Sequence, residues 1–436
     1  MVSRSIRSET KLALGTLTAA VALLAGVAGA SAQTAPGAGS FPDSFLVPGT
    51  NTSLKVGGYV KLDVTYDINS VQGNIGGVSS AGVNLNGVVQ HAQNHGFQVN
   101  ASESRFNFET RTPSAYGEIK TFIEGDFVQA SGTTNAASLR VGTNSYGFRL
   151  RVAYATVGPW LVGQQTGIQS DGIVSPESLD FQGALATGGP TRVPQLRYTY
   201  LMPNGQSLAV GIESPESSIV ENTGAVTLLS QVPGSNGASK MPVAAADYKI
   251  DQPWGHAHIG GSITTITAQN GTTNSKDTMI GWSSVIGARI NTFGKDSVYA
   301  SLVYNEGGSR ETGNSPGEDA EVNFALGRAK ALREFGGMIG YLHYWTDTLR
   351  SSATMSYERM SATHDLAGGA ADPLNTVLNG TNKWATWGTA NLIWSPVPQV
   401  NTGVELVYIS RRTMNPNSAL NFGEDYRIQF STQVKF

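Results

Sequence analysis

Glu424-Asp-Tyr-Arg-Ile-Gln-Phe-Ser-Thr-Gln-Val-Lys-Phe436 ends the chain. Tyr426, Ile428, Phe430, Thr432, Val434 and Phe436 alternate with Arg427, Gln429, Ser431, Gln433 and Lys435. Successive side chains of a strand point to opposite faces, so this segment has one oily face and one wet face. Such a strand, running to an aromatic terminus, has the pattern of a stave in a transmembrane β-barrel.

The opposite end fits that location. Arg4, Arg7 and Lys11 make a basic start, Leu12 to Ala28 is mostly apolar, and Ala30-Ser31-Ala32 is a small-residue cleavage pattern. Residues 1–32 therefore read as a signal peptide. Residues 33–53, rich in Pro, Gly and Ser, read as a short periplasmic segment before a barrel over 54–436. Beyond the signal no apolar run approaches the length of a membrane helix. The chain has no Cys, which excludes disulfides, thiol catalysis and thiolate metal sites. With 29 Lys and Arg against 32 Asp and Glu, the net charge of −3 is too small and too mixed to point to nucleic acid. A barrel in lipid needs only an apolar belt, which 40% hydrophobic residues supply.

Alternating segments between turn signals fall near 54–68, 103–111, 115–129, 147–157, 160–166, 195–201, 206–214, 243–250, 256–267, 277–290, 296–306, 335–346, 350–360, 383–394, 399–411 and 424–436. The expected fold is all-β, a 16-stranded antiparallel transmembrane barrel in a bacterial outer membrane, in contact with its lipid. Short connections such as Thr112-Pro113-Ser114, Gly158-Pro159 and Met202-Pro203-Asn204-Gly205 read as periplasmic turns. Long ones near 69–102, 130–146, 167–194, 215–242, 268–276, 307–334, 361–382 and 412–423 read as extracellular loops. Residues 321–334 fit either a short helix or an extra strand. Trp160, Trp254, Trp345 and Trp394 lie beside short turns, as an aromatic girdle requires, and Trp384 belongs at the outer interface.

Alternation places Lys61, Arg105, Arg149, Arg151 and Arg197 on the wet face at about mid-height, with Glu118, Lys120, Glu124 and Asp126 nearby. A barrel of this strand number can hold an aqueous channel. A loop over 167–194 carries Asp171, Glu177 and Asp180, three prolines, and the apolar Phe181 and Leu185. That composition suits a loop folded into the bore as a constriction. One reading is an anion filter, with cations on the wall and loop acids opposite. The other is that the arginines pair with Asp171, Glu177, Asp180 and Glu124 and simply pin the loop.

Phe45-Leu-Val-Pro-Gly-Thr-Asn-Thr-Ser-Leu-Lys-Val-Gly-Gly-Tyr-Val-Lys-Leu-Asp63 resembles the entry to the first strand of DcaP-like outer-membrane porins. Ser104-Arg-Phe-Asn-Phe-Glu-Thr-Arg111, Glu124-Gly-Asp-Phe127, Leu150-Arg-Val-Ala-Tyr154 and Trp160-Leu-Val-Gly-Gln-Gln-Thr166 are similar to that family too. The likeness is clearest over about 45–200. It implies a homotrimeric channel for small dicarboxylates with a basic constriction, matched by pattern at the five cations above. Residues 33–53 depart from relatives that carry a periplasmic coiled coil, being too short for one.

The expected function is passive diffusion of small hydrophilic solutes, anion-preferring and favouring small (di)carboxylates, with no cofactor or metal and no enzyme activity. The alternatives are a general diffusion porin without preference and, more remotely, a barrel enzyme. A hydrolase would need Ser, His and a carboxylate in contact, and no Gly-X-Ser-X-Gly motif occurs. His256-X-His258 and His91-X3-His95 could each offer two metal ligands, without a third in sequence.

Overall fold

The computed structural model describes residues 37–70, 77–78, 80–86, 95–129, 147–185, 191–221, 239–270, 273–309, 318–323, 328–361, 382–414 and 421–436. The signal-peptide reading of 1–32, His91, His364 and much of the long loops lie outside them. The chain divides into two units at Leu54. In the first, Phe45–Leu46 pairs antiparallel with Ser53 and Leu54.

Sixteen staves, all but the first two residues of the first one, lie in the second unit. They are β1 (Ser53–Asp67), β2 (Gly96–Asn100 with Arg105–Ser114), β3 (Gly117–Gln129), β4 (Gly147–Val157), β5 (Trp160–Thr166), β6 (Arg192–Met202), β7 (Gln206–Glu213) and β8 (Val243–Gln252). There follow β9 (Gly255–Gln269), β10 (Lys276–Asn291), β11 (Ser297–Glu306), β12 (Arg333–Tyr344), β13 (Leu349–Ser361), β14 (Asn382–Val397), β15 (Val400–Thr413) and β16 (Phe422–Lys435). Each pairs with the next along the chain, and both halves of β2 pair with β1. β16 returns to β1 in antiparallel register, from Tyr59↔Lys435 to Asp67↔Arg427. The sheet is therefore closed and has no free edge, as a membrane barrel requires.

Burial sorts the two faces as the sequence pattern demands. On β16, Tyr426, Ile428, Phe430 and Val434 are exposed, whereas Asp425, Arg427, Gln429 and Ser431 are at most 2% exposed. β1 repeats this, with Val60, Leu62 and Tyr66 outside and Lys61, Asp63, Thr65 and Asp67 buried. An outer wall of exposed Leu, Ile, Phe and Trp is costly in water and favourable in lipid. Trp160, Trp254, Trp345 and Trp394 are among its exposed residues.

The elements differ from the sequence reading in places with physical causes. β2 begins earlier than expected and is interrupted at 101–104. Its hairpin turns over Ala115-Tyr116, not Thr112-Pro113-Ser114, because Ser114 still pairs with Gly117. Pro113 is tolerated since proline lacks only the donor. Two-residue turns also join Val157 to Trp160, Gln252 to Gly255 and Val397 to Val400. Between 321 and 334 the chain forms strands. Ala320–Asn323 pairs with Arg328–Ala331 and, in parallel, with Ile219–Glu221. This small sheet buries Ile219, Ala320 and Val322 against Ile266 and Ala268 of β9.

Candidate functional site

After β5 the chain leaves the wall, and its partners show where it goes. Asp171 receives hydrogen bonds from Lys249 Nζ of β8 (2.7 Å) and from the Ile173 N–H (2.8 Å), and lies 3.0 Å from His256 Nε2 of β9. Glu177 takes the Arg350 guanidinium of β13 as a fork, at 2.5 Å to each oxygen. Glu405 of β15 accepts from Ser178 Oγ (2.8 Å) and from the N–H groups of Leu179 and Asp180 (2.9 Å each). The Leu179 carbonyl accepts from Lys61 of β1 (2.9 Å) and from Gln429 of β16 (2.9 Å). Asp180 accepts from the Val78 N–H (2.8 Å) of the first loop and lies 3.6 Å from Arg427 of β16. A segment bonded to inward residues of β8, β9, β13, β15, β16 and β1 lies across the bore.

Apolar burial adds to these bonds. Leu185, with Val78 and Val83 of the first loop, packs on Met338, Leu342, Trp387, Val407 and Ile409 of the inner wall. Each such side chain, fully buried, contributes about 2 kcal/mol. Burial opposes ionisation of Asp171, but the Lys249 ammonium, the Ile173 N–H and His256 together hold its carboxyl below the usual range. Asp180 goes the other way. Burial, helped by nearby Glu405 and opposed by Arg427, pushes it up to about 7.

The five cations read from the sequence fall into two groups. Lys61 bonds Glu103 and lies 3.4 Å from Asp63. Arg151 reaches Glu124 (2.9 Å) and Asp126 (2.8 Å), and Arg149 grips Asp126 through two bonds of 3.0 and 2.8 Å. Arg105 lies 3.4 Å from Glu124 and over the Tyr59 ring. Arg149 and Arg151 both stand over the ring of Phe181 from the loop. Arg197 makes no ion pair or side-chain hydrogen bond among the described residues, and its buried Nε has no partner.

A sixth cation, Arg192, completes the group. Its charge interacts with those of Arg151, Arg105, Arg149 and Glu124, and it makes no ion pair or side-chain hydrogen bond among the described residues. It lines a cavity of about 310 Å³ between the loop and the wall, with Thr166, Asp171, Pro176 and Ala184 on one side and Thr354 and Trp387 among its other lining residues. Alternation along 195–201 gives no hint of Arg192, because it stands at the end of β6 beside the returning loop. Lys249, Arg350 and Arg427 take the loop acids, whereas Glu124 is taken by wall arginines. Of these, Lys249 and Arg427 stand on inward faces that alternation already marks. Their partners do not, because pairing a loop with a wall needs the folded path.

Asp171, Asp247 and His258 bring three possible metal-ligand atoms within 4.8 Å of one another. Lys249 Nζ lies 2.7 Å from Asp171 and 3.3 Å from Asp247, so an ammonium already pairs with both carboxylates.

A closed sixteen-stave cylinder with an apolar exterior and an ion-paired interior defines an outer-membrane β-barrel of porin fold. The chain belongs to the DcaP outer membrane protein family, whose match spans residues 43–428, and it is located in the bacterial outer membrane. Among solved structures it is similar to the outer membrane channel DcaP of Acinetobacter baumannii, at 20% identity and a TM-score of 0.71, covering 90% of this chain and 99% of that one. It is also similar to an anion-selective porin from Comamonas acidovorans (11% identity, TM-score 0.53, covering 88% and 100%). The trimer form of Vibrio cholerae OmpT is a further likeness (10% identity, TM-score 0.51, covering 88% and 99%). At these identities the likeness concerns the fold. No curated protein matches by sequence.

Proposed function

We propose that the barrel is a passive, anion-preferring channel for small carboxylates, with dicarboxylates favoured, and that residues 167–185 narrow its bore. The observation that carries this reading is the charge balance beside the loop. Lys61, Arg105, Arg149, Arg151 and Arg192 stand among Asp63, Glu103, Glu124 and Asp126, while the charge of Arg197 interacts with those of Glu213 and Asp247; among the described residues Arg192 and Arg197 of these six make no ion pair. Guanidinium groups suit carboxylates because the planar fork binds both oxygens. The acids of the loop are spent on Lys249, Arg350 and Arg427, so they do not cancel this field. The anion-selective Comamonas porin of the same fold is consistent with it.

A second reading, general diffusion without preference, draws on the pairing of Lys61, Arg105, Arg149 and Arg151 with wall acids. Bilayer recordings under a potassium chloride gradient separate the two. The proposal expects a reversal potential of anion-preferring sign and stronger current block by succinate than by acetate. A cation-preferring or neutral reversal potential refutes it. We also propose a homotrimer, by analogy with the trimeric OmpT form, to be checked by the mass of the detergent-solubilised particle.

A further inference from the structure

The outer wall at the long-loop end carries a feature that permeation does not use. Cross-strand register places Phe335 of β12 beside Arg359 of β13, Arg359 beside Trp384 of β14, Trp384 beside Arg412 of β15, and Arg412 beside Phe422 of β16. Aromatic rings and guanidinium groups thus alternate along one row across five staves. Arg359 and Arg412 are exposed, and the Arg412 guanidinium stands 6.0 Å from the Trp384 ring centre and 5.9 Å from that of Phe422.

A third cation joins the row through an irregularity. Ala385 and Trp387 face inward, so unbroken alternation would send Lys383 into the lumen. The β14–β15 register shifts between Asn382 and Trp384. Asn382 is buried there and Lys383 is exposed. A bulge re-aims a side chain in this way. Among the described residues Arg359, Lys383 and Arg412 make no ion pair and no side-chain hydrogen bond.

Three unpaired cations on a lipid-facing wall are costly beside hydrocarbon, so they belong at the headgroup level. An aromatic girdle explains Trp384, Phe335 and Phe422, but not the arginines between them. Stacking on rings holds a guanidinium ready for an anion, and its fork matches phosphate oxygens. A second copy of this chain would have to bring carboxylates. On the described strands the outward carboxylates are Glu306, paired with Arg333 (3.3 Å), and Glu424, which accepts from the Tyr408 hydroxyl (3.2 Å).

We infer that the Arg359–Trp384–Arg412 row with Lys383 is a docking site for a phosphorylated glycolipid of the outer leaflet. Its phosphate monoesters are held by the three cations, and its sugar and acyl portions lie along the aromatic row.

The purified barrel in mild detergent is incubated with diphosphoryl lipid A, and bound copies per polypeptide are counted by native mass spectrometry. One basic side chain near an anionic surface is worth about 1 kcal/mol, so Arg359→Gln, Lys383→Gln and Arg412→Gln combined should weaken retention about a hundredfold. Should the combined variant fail to show a heat-modifiable folded band, Lys383→Gln alone should weaken retention about fivefold. Dephosphorylated lipid A should be held as poorly by the native barrel as the phosphorylated form is by the combined variant, and channel conductance should not change. Equal retention of lipid A by native and variant barrels overturns the assignment. So does equal retention of the dephosphorylated lipid, or a variant that loses oligomeric mass while keeping the lipid.

Discussion

Replacing Arg192 by Gln removes a charge that faces the cavity and has no ion-pair partner among the described residues. An ion passing about 6 Å from that charge in a water-like medium feels about 0.7 kcal/mol. At 0.1 M salt the Debye length of about 10 Å reduces this to about 0.4 kcal/mol. The loss acts with opposite sign on anions and cations, so the anion-to-cation permeability ratio should fall about fourfold. At 10 mM salt screening nearly vanishes, and the fall should approach about sevenfold. Reversal potentials in planar bilayers measure both values. Arg192→Lys keeps the charge and should keep the ratio. Arg149→Gln combined with Asp126→Asn dismantles an ion pair at constant net charge, and should move the ratio far less than Arg192→Gln does. An unchanged ratio in Arg192→Gln, or a shift that fails to grow on dilution of the salt, refutes the reasoning.

The loop tethers lead to further expectations. Glu177→Gln breaks the fork with Arg350, a charge-assisted contact worth about 2 kcal/mol, and single-channel conductance should rise with added flicker; an identical trace would separate the loop from the bore. Asp180, pushed up to about 7 by burial, holds in the docked loop a proton that an undocked, solvated carboxyl would release. Docking is therefore strongest below the solvated value and weakens as pH rises, by up to about tenfold per pH unit until about 7. Flicker should grow between pH 5 and 7 and level off above, and Asp180→Asn should flatten the profile. Gly163→Ala would set a Cβ 2.3 Å from the Ala153 carbonyl oxygen, at a φ of +125° that side chains rarely adopt, so the heat-modifiable folded fraction should fall sharply. A normal folded fraction would mean that β4 and β5 can separate without cost.

Period-two alternation made the staves and their inner and outer faces legible, because lipid outside and water inside impose that period on nearly every strand. It located Lys61, Arg105, Arg149, Arg151 and Arg197, and Glu124 among their partners, but not Asp63, Glu103 or Asp126 in that role. Glu124 and Asp126 on β3 neutralise arginines on β2 and β4, a pairing that the short hairpins make accessible to sequence reasoning. Arg350 with Glu177, or Gln429 with Leu179, joins residues far apart in the chain and needs the closed cylinder. Bulges are the other blind spot. A register shift between Glu124 and Gly125 lets Arg151 and Val152 both be buried, and another leaves Lys383 exposed beside buried Asn382. The apolar lining around Trp387 carries no polar-face signal in the sequence, since it serves docked loops instead of water.

The ties of the inner segment also bear on how the barrel matures. Leu179 is held by Lys61 from the first stave and Gln429 from the last, and Asp180 by Arg427 of that same last stave. Those anchors come together only when β16 zips onto β1. A nascent cylinder whose seam is still open thus lacks a full latch for its own obstruction. Insertion halted at that stage should leave a wide leak in the cell envelope, and completing the seam should narrow it.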